Sequence, residues 1–146
     1  MSKPHILQLG EIDHAKKEWA TLSSIGELIE PKARSREEFI AECKKGAFDK
    51  VVVAYRTFQS VAITGLVDEE LVAALPKSLK FIAHNGAGYD QIDVHACTAK
   101  GIRVSNVPTA VDDATADVNM FLILGALRGF NTCILPQPTK NDNDTS

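Results

Sequence analysis

The chain has 146 residues, of which 45% are hydrophobic and 24% are charged, and its formal net charge at pH 7 is −3. These values are typical of one globular domain, and a slightly acidic chain without a basic cluster is not expected to bind nucleic acid. No apolar run reaches the roughly 20 residues of a transmembrane helix, and the start lacks a secretory signal. We therefore expect a cytoplasmic protein that does not enter a membrane.

The first half of the chain alternates strand and helix patterns. Strands are predicted over residues 5–9, 27–29 and 50–55, the last from the β-branched run VVVAY. Asp13 is predicted to cap a first helix, and Ser35 with Glu38 has the spacing of a capping box for a second. Both helices place apolar side chains on one face, so they are expected to cover a sheet.

The second half continues this alternation. Asp68 is predicted to start a helix that ends before Pro76, and strands follow over residues 79–83 and 102–104. Between those strands, a helix after Asp93 is closed by Lys100 and Gly101. Residues 114–130 then form a long helix that is apolar on all faces, which is typical of a helix surrounded by other protein.

The predicted fold is therefore α/β: a flavodoxin-like doubly wound parallel sheet of about five strands, followed by a long C-terminal apolar helix. Ligands of such sheets bind beyond the carboxyl ends of the strands. The residues expected at that edge are Gly10, Arg56, residues 86–88 and Asn106.

The turn Gly86-Ala87-Gly88 follows the fourth predicted strand and is the best candidate for a site. Small residues let a ligand approach the main chain, whose free N–H groups favour a carboxylate or phosphate. Arg56, at the end of the third strand, could add a guanidinium fork to a carboxylate. The alternatives are an ordinary strand-to-helix turn and a surface arginine.

Several spaced motifs in this region resemble one enzyme family. GAGYDQID, KGIRVSNVP and ATAD before an apolar helix closely resemble the D-2-hydroxyacid dehydrogenases, especially their glyoxylate and hydroxypyruvate reductase branch. The resemblance implies reversible hydride transfer between NAD or NADP and a small 2-keto or 2-hydroxy acid, in a homodimer. It also implies that the backbone N–H groups of Ala87 and Gly88 hold the substrate carboxylate. By the same resemblance, Arg56 lies near the substrate and Thr115 touches the nicotinamide end of the cofactor.

The chain departs from that family in two respects. A dinucleotide site needs G-x-G-x-x-G between a strand and a helix. The only G-x-G here is Gly86-Ala87-Gly88, and Gln91 stands where the third glycine of the motif would be. The family's catalytic arginine, glutamate and histidine also come later in its chains, so no catalytic residue is assigned. We predict a substrate domain over residues 1–110, an inter-domain helix over 111–130 and a disordered tail over 131–146. The cofactor-binding Rossmann domain is expected to be absent, so this chain alone should bind no cofactor and be inactive.

Other functions are compatible with the same fold. A phosphoacceptor receiver domain is disfavoured, because the places of its aspartate and lysine hold Arg56 and Asn106. A non-catalytic binding or dimerisation module, self-associating through residues 114–130, stays open. His84 lacks an acidic partner in sequence and is interpreted as a strand-end histidine. The three cysteines Cys43, Cys97 and Cys133 lack metal-ligand spacing, so reduced thiols and no metal site are expected.

Overall fold

A computed structural model of the chain describes residues 3–130. Its centre is a five-stranded sheet in which every pair of neighbouring strands is parallel, in the order β2-β1-β3-β4-β5. The strands are β1 His5–Leu9, β2 Glu27–Ile29, β3 Val51–Thr57, β4 Phe81–Asn85 and β5 Arg103–Ser105. This order is that of flavodoxin-like doubly wound folds, so the predicted fold class is confirmed.

Helices connect the strands, because parallel neighbours require crossovers. They are α1 Lys16–Thr21, α2 Arg36–Lys44, α3 Val61–Thr64, α4 Glu69–Ala74, α5 Val94–Ala99 and α6 Asp112–Leu127. The sequence patterns did not predict α3, which is a single turn long. Helix α2 contacts both α3 and α4, and α4 contacts α5. Trp19 of α1 packs on Tyr55 of β3 with ring centroids 5.4 Å apart.

The core lies between the sheet and helices α2, α4 and α5. Phe39 and Phe48 pack with their ring centroids 5.5 Å apart, and both are almost fully buried. Each buried side chain of this size stabilises the fold by about 1.5–3 kcal/mol relative to its exposed state. The core residues from the strands include Leu7, Leu9, Val51, Ala54 and Ile82.

Side chains cap the N-termini of α2, α4 and α5. Ser35 accepts from the N–H of Glu38, Asp68 from that of Leu71 and Asp93 from that of Ala96. The predicted Asp13 cap is wrong, because α1 begins at Lys16 after Ala15 and has no side-chain cap. A cap must directly precede the first helical turn, and Asp13 lies too far upstream.

Both central strands extend further than predicted. Strand β3 continues through Arg56 to Thr57, and β4 through His84 to Asn85, with Thr57 in register with Asn85. Local apolar patterns end before these polar residues, but the backbone ladder between two neighbouring strands continues irrespective of side-chain polarity. Consequently Arg56 and His84 lie side by side within the sheet rather than in loops.

Lys100, directly after α5, forms hydrogen bonds to the C-terminal end of α4. Its ammonium group donates to the carbonyl oxygens of Ala73 at 2.9 Å and Leu75 at 2.6 Å, and also to that of Val72. These are the carbonyls that a helix C-terminus leaves without partners, and a positive charge there is stabilising.

We expect Lys100→Met to lower the free energy of unfolding by about 2 kcal/mol, since several charged hydrogen bonds are lost while the aliphatic stem is retained. Urea denaturation of the purified chain measures this difference. Lys45→Met, at an exposed lysine after α2, is the matched control and should change stability by less than about 0.5 kcal/mol. Equal stability of the Lys100→Met variant and the wild type would show that these contacts add nothing.

The chain divides into two compact units, Met1–Pro108 and Thr109–Ser146. The assignment of residues 1–110 and 111–130 as a substrate domain and an inter-domain helix stays a prediction. Within the described residues of the second unit, α6 has no buried side chain. The predicted disordered tail, 131–146, lies outside the described residues, as does Cys133.

Cys43 and Cys97 are free thiols buried in the core. Burial raises the pKa of Cys43 to about 11, and it raises the pKa of Cys97 as well. Because the thiolate is the reactive form, both thiols are expected to be inert at neutral pH.

Among residues 3–130, no helix is long and apolar enough to cross a bilayer.

Candidate carboxylate-binding site

The glycine loop, residues 86–91, leaves the carboxyl end of β4 at the centre of the sheet edge. Its first amide, that of Gly86, donates back to the carbonyl oxygen of His84 at 3.1 Å. At its far end the backbone of Gln91 accepts from the amide of Val67 at 2.9 Å, next to an isolated parallel bridge between Val67 and Ile92. Both ends of the loop are therefore attached to the body of the domain.

The carbonyl oxygens of the glycine loop are held by groups from the neighbouring strands. Asn106, just after β5, donates from Nδ2 to the carbonyl of Ala87 at 2.8 Å. His84 contacts the carbonyl of Gly88 through Nε2 at 3.0 Å, and the amide of Val107 donates to the carbonyl of Gly86 at 3.0 Å. Three consecutive carbonyls are thus occupied, which orients the peptide planes between them.

The amides of Ala87 and Gly88 have no acceptor among residues 3–130. Ala87 is half-buried and Gly88 is exposed, so these N–H groups are not sealed inside the protein. The N–H of Ala87 shares a peptide plane with the carbonyl of Gly86, and the N–H of Gly88 with that of Ala87, so the bonds to these two carbonyls orient both donors. Adjacent N–H groups held in this way form a concavity that favours an anion. The arrangement can bind a carboxylate through main-chain donors alone.

Only glycine fits at position 86. A Cβ there would lie 2.5 Å from Nε2 of His84, well inside van der Waals contact. Because His84 is only 3% exposed, it cannot move aside into solvent. The glycine therefore permits the close approach of the buried imidazole that holds Gly88.

His84 has a structural assignment in this arrangement. A carbonyl oxygen can only accept, so the imidazole must carry its proton on Nε2 to bond with Gly88. Burial lowers the pKa of His84, and the nearby positive charge of Arg56 lowers it further. A neutral imidazole whose Nε2 proton is already donated is poorly suited to be a general acid, so His84 is assigned the role of holding the glycine loop.

Arg56 lies beside His84 in the β3–β4 ladder and is completely buried. Its Nε donates to Oγ of Ser60 at 3.2 Å and its Nη2 to Oε1 of Gln91 at 3.1 Å, while Nη1 has no hydrogen-bond partner among residues 3–130. No carboxylate within those residues forms an ion pair with it. Burial lowers the pKa of Arg56, but guanidinium stays protonated at neutral pH.

The structure brings together Ala87, Gly88 and Arg56 at one region of the sheet edge, connected through His84 and Gln91. Their roles in substrate binding stay predictions, and the burial of Arg56 means that its side chain lies beneath the surface rather than on it. Thr115 lies in the first turns of α6 and is exposed, and its cofactor contact also stays a prediction.

The sequence analysis missed two supporting residues. His84 was interpreted as a strand-end histidine without an acidic partner, and it does lie near the end of β4, but its bond to Gly88 was not predicted. Gln91 was noted only because it is not glycine. The contact of Gln91 with Arg56 joins residues 35 positions apart, so no local pattern could reveal it. His84 contacts Gly88 only four residues later, but that bond depends on how the loop folds back over the strand end. Asn106 was expected at the correct edge because it directly follows a strand. In a parallel sheet the carboxyl ends of the strands meet at one edge, so a position after a strand indicates that edge.

Fold and loop together define a doubly wound α/β domain with a glycine loop at the carboxyl edge of its sheet. Comparison with known proteins agrees with this class. A family model described as D-isomer specific 2-hydroxyacid dehydrogenase, catalytic domain, matches residues 7–133. The chain belongs to this family.

Relatives of known name are considerably longer than this chain. The 4-methyl-2-oxopentanoate reductase A of Aspergillus oryzae is 58% identical over 125 residues, which are 86% of this chain and 38% of that protein. A glyoxylate reductase structure from Paecilomyes thermophila superposes with a TM-score of 0.84 at 51% identity, over 88% of this chain and 39% of that one.

A more distant structure contains ligands. The NADPH-dependent glyoxylate/hydroxypyruvate reductase of Sinorhizobium meliloti, solved with NADP and malonate, has a TM-score of 0.60 at 26% identity, over 85% of this chain and 34% of that one. Across these three relatives, the chain therefore spans about two fifths or less of their length.

Proposed function

We propose that this chain is the substrate-binding part of an NAD(P)-dependent 2-hydroxyacid dehydrogenase, and that the amides of Ala87 and Gly88 bind the carboxylate of a small 2-keto or 2-hydroxy acid. The observation that carries the proposal is the pairing pattern of the glycine loop. Its carbonyls are occupied by His84, Asn106 and Val107, whereas these two amides have no acceptor among the described residues.

The chemistry of the site supports a carboxylate over a neutral ligand. Two main-chain donors match the two oxygens of a carboxylate, and hydrogen bonds to a charged acceptor are about twice as strong as neutral ones. The buried guanidinium of Arg56 adds a positive charge that is hydrogen-bonded to the loop at Gln91. The names of the relatives support 2-keto acids such as glyoxylate, hydroxypyruvate and 4-methyl-2-oxopentanoate as the substrate class.

In this proposal the chain's own residues bind and orient the substrate. Fixing the carboxylate at Ala87 and Gly88 limits the positions of the adjacent keto carbon, so the reacting atom is presented in a defined place. Val107 and Asn106 act indirectly, because they hold the carbonyls of the peptide units that carry the two amides. His84 holds the next peptide unit, through the carbonyl of Gly88. Bound NAD(P)H would supply the hydride that reduces the keto carbon.

The described residues do not fit a dinucleotide. The only G-x-G turn is the glycine loop, which lacks the third glycine, and its donors are those proposed to hold the substrate. We derive no step through NAD(P) from this chain. Thr115 is proposed as a contact for the nicotinamide end of a cofactor that is held by other parts of a longer protein, and a cytoplasmic location is proposed for that protein.

A second candidate function is a non-catalytic binding or dimerisation module. The observation in its favour is α6, whose large apolar side chains are exposed along its length. A helix of this kind suits contact with a second copy of the chain, and residues 114–130 are the proposed contact. Carboxylate binding distinguishes the two functions, since a pure dimerisation module has no need of free amides in the glycine loop.

Titration of the 15N-labelled chain with glyoxylate tests the proposed function. We expect the largest amide shifts at Ala87 and Gly88, with a dissociation constant near the millimolar range because water competes at an open site. NADH or NADPH oxidation by the same sample should be undetectable. Shifts confined to other regions would remove the carboxylate proposal, and turnover by the pure chain would refute the predicted inactivity.

A further inference from the structure

Arg56 is unusual in being a fully buried charge whose protein partners are neutral. Its two hydrogen-bonded neighbours are the hydroxyl of Ser60 and the side-chain amide of Gln91. Ser60 also donates to the carbonyl of Thr57 at 2.7 Å, so its oxygen is available to accept from Arg56. Removing a charge from water without an opposite charge is costly, which makes a neutral shell a poor choice for stability alone.

The charge is connected to the proposed carboxylate site through two residues, His84 and Gln91. Arg56 is in register with His84, and His84 in turn bonds to the carbonyl of Gly88. Gln91 occupies the far end of the same loop and accepts from Nη2 of Arg56 at 3.1 Å. The guanidinium is therefore hydrogen-bonded to Gln91 at one end of the glycine loop. It also lies adjacent to His84, which bonds to Gly88 in the middle of the loop.

We propose that Gln91 is a positioning residue that works as a neutral tether: it holds the loop against Arg56 while leaving the positive charge of Arg56 available to attract the substrate carboxylate. This inference rests on the proposed function. The physical reason concerns the choice of side chain at position 91. A glutamate would bind the guanidinium more tightly, but it would also cancel the charge that favours the incoming anion.

The competing explanation is that Gln91 only completes the hydrogen bonding of Arg56. Gln91→Glu separates the two explanations, because it retains the contact and the side-chain size while neutralising the charge. If the contact alone matters, the variant should bind an anion as well as the wild type. If the uncancelled charge matters, affinity should fall although the fold is as stable as before.

The experiment compares glyoxylate affinity, from 15N chemical-shift titration, with the thermal unfolding midpoint. We expect Gln91→Glu to bind roughly tenfold more weakly, as the loss of a nearby unit charge implies, with an unchanged or higher Tm. Gln59→Glu adds the same charge at an exposed position after β3 and should stay within about twofold of wild type, because water screens it.

Arg56→Met provides a second variant that removes the same charge directly, and it should also weaken binding by about tenfold or more. Wild-type affinity in a folded Gln91→Glu or Arg56→Met chain would overturn the tether, as would an equal loss in Gln59→Glu. These failures leave the proposed function standing. An absence of glyoxylate binding in the wild type would overturn the proposed function and the tether together.

Discussion

Gly86→Ala is expected to weaken glyoxylate binding by at least about tenfold, even though residue 86 contributes no atom to the proposed contact. The added Cβ would lie 2.5 Å from Nε2 of His84, so either the imidazole or the loop must shift. A shift of the imidazole breaks its bond to the carbonyl of Gly88 and loosens the loop there, and a shift of the loop moves the two donor amides away from a common point. An overpacked site of this kind also lowers stability by roughly 1–3 kcal/mol.

Gly101→Ala is the matched control for this substitution. Gly101 has φ of +77°, so alanine is strained there, but its Cβ would meet nothing within 4 Å and the residue lies outside the glycine loop. We expect a loss of stability of about 1 kcal/mol with unchanged affinity. If Gly86→Ala binds glyoxylate like the wild type while folded, the close packing of His84 against the loop is not needed to hold the two amides in place.

Self-association through α6 is the second large effect that we expect. The exposed fractions are 62% for Phe121, 51% for Leu124 and 78% for Leu127, and the other large apolar residues of the helix are similarly exposed. Monomeric proteins rarely expose contiguous apolar patches larger than a few hundred Å², so a helix with this many exposed large apolar side chains is expected to be covered by a partner. The purified chain should therefore sediment as a dimer or larger species at high concentration.

Phe121→Lys combined with Leu124→Lys should shift the chain to a monomer. The two positions are three residues apart and share one face of the helix, so two charges would have to be buried in any contact there. Ala99→Lys combined with Thr98→Lys places the same charges on exposed positions of α5 and should leave the association unchanged. A wild-type chain that sediments as a clean monomer would contradict the prediction.

The fold could be predicted from local sequence because its signals are local. The run VVVAY is β-branched and too short for a helix, and the Ser35, Asp68 and Asp93 caps depend on residues three positions apart. The glycine loop was recognisable for the same reason, since its small residues are adjacent in the chain. Asp13 failed because a capping residue has no effect unless the helix begins directly after it, and the first turn formed at Lys16 instead.

The environment of the site was decided by contacts between distant parts of the chain. The sequence alone is compatible with Arg56 as a surface arginine or as a substrate ligand. In the structure the β3–β4 ladder extends to Thr57, and Arg56 is buried beside His84. Gln91 is 35 residues from Arg56 in sequence, and their hydrogen bond exists only because β3 and β4 are neighbours. Residue type and spacing determine which groups a strand end can offer, whereas burial and pairing depend on which strand ends the parallel topology brings side by side.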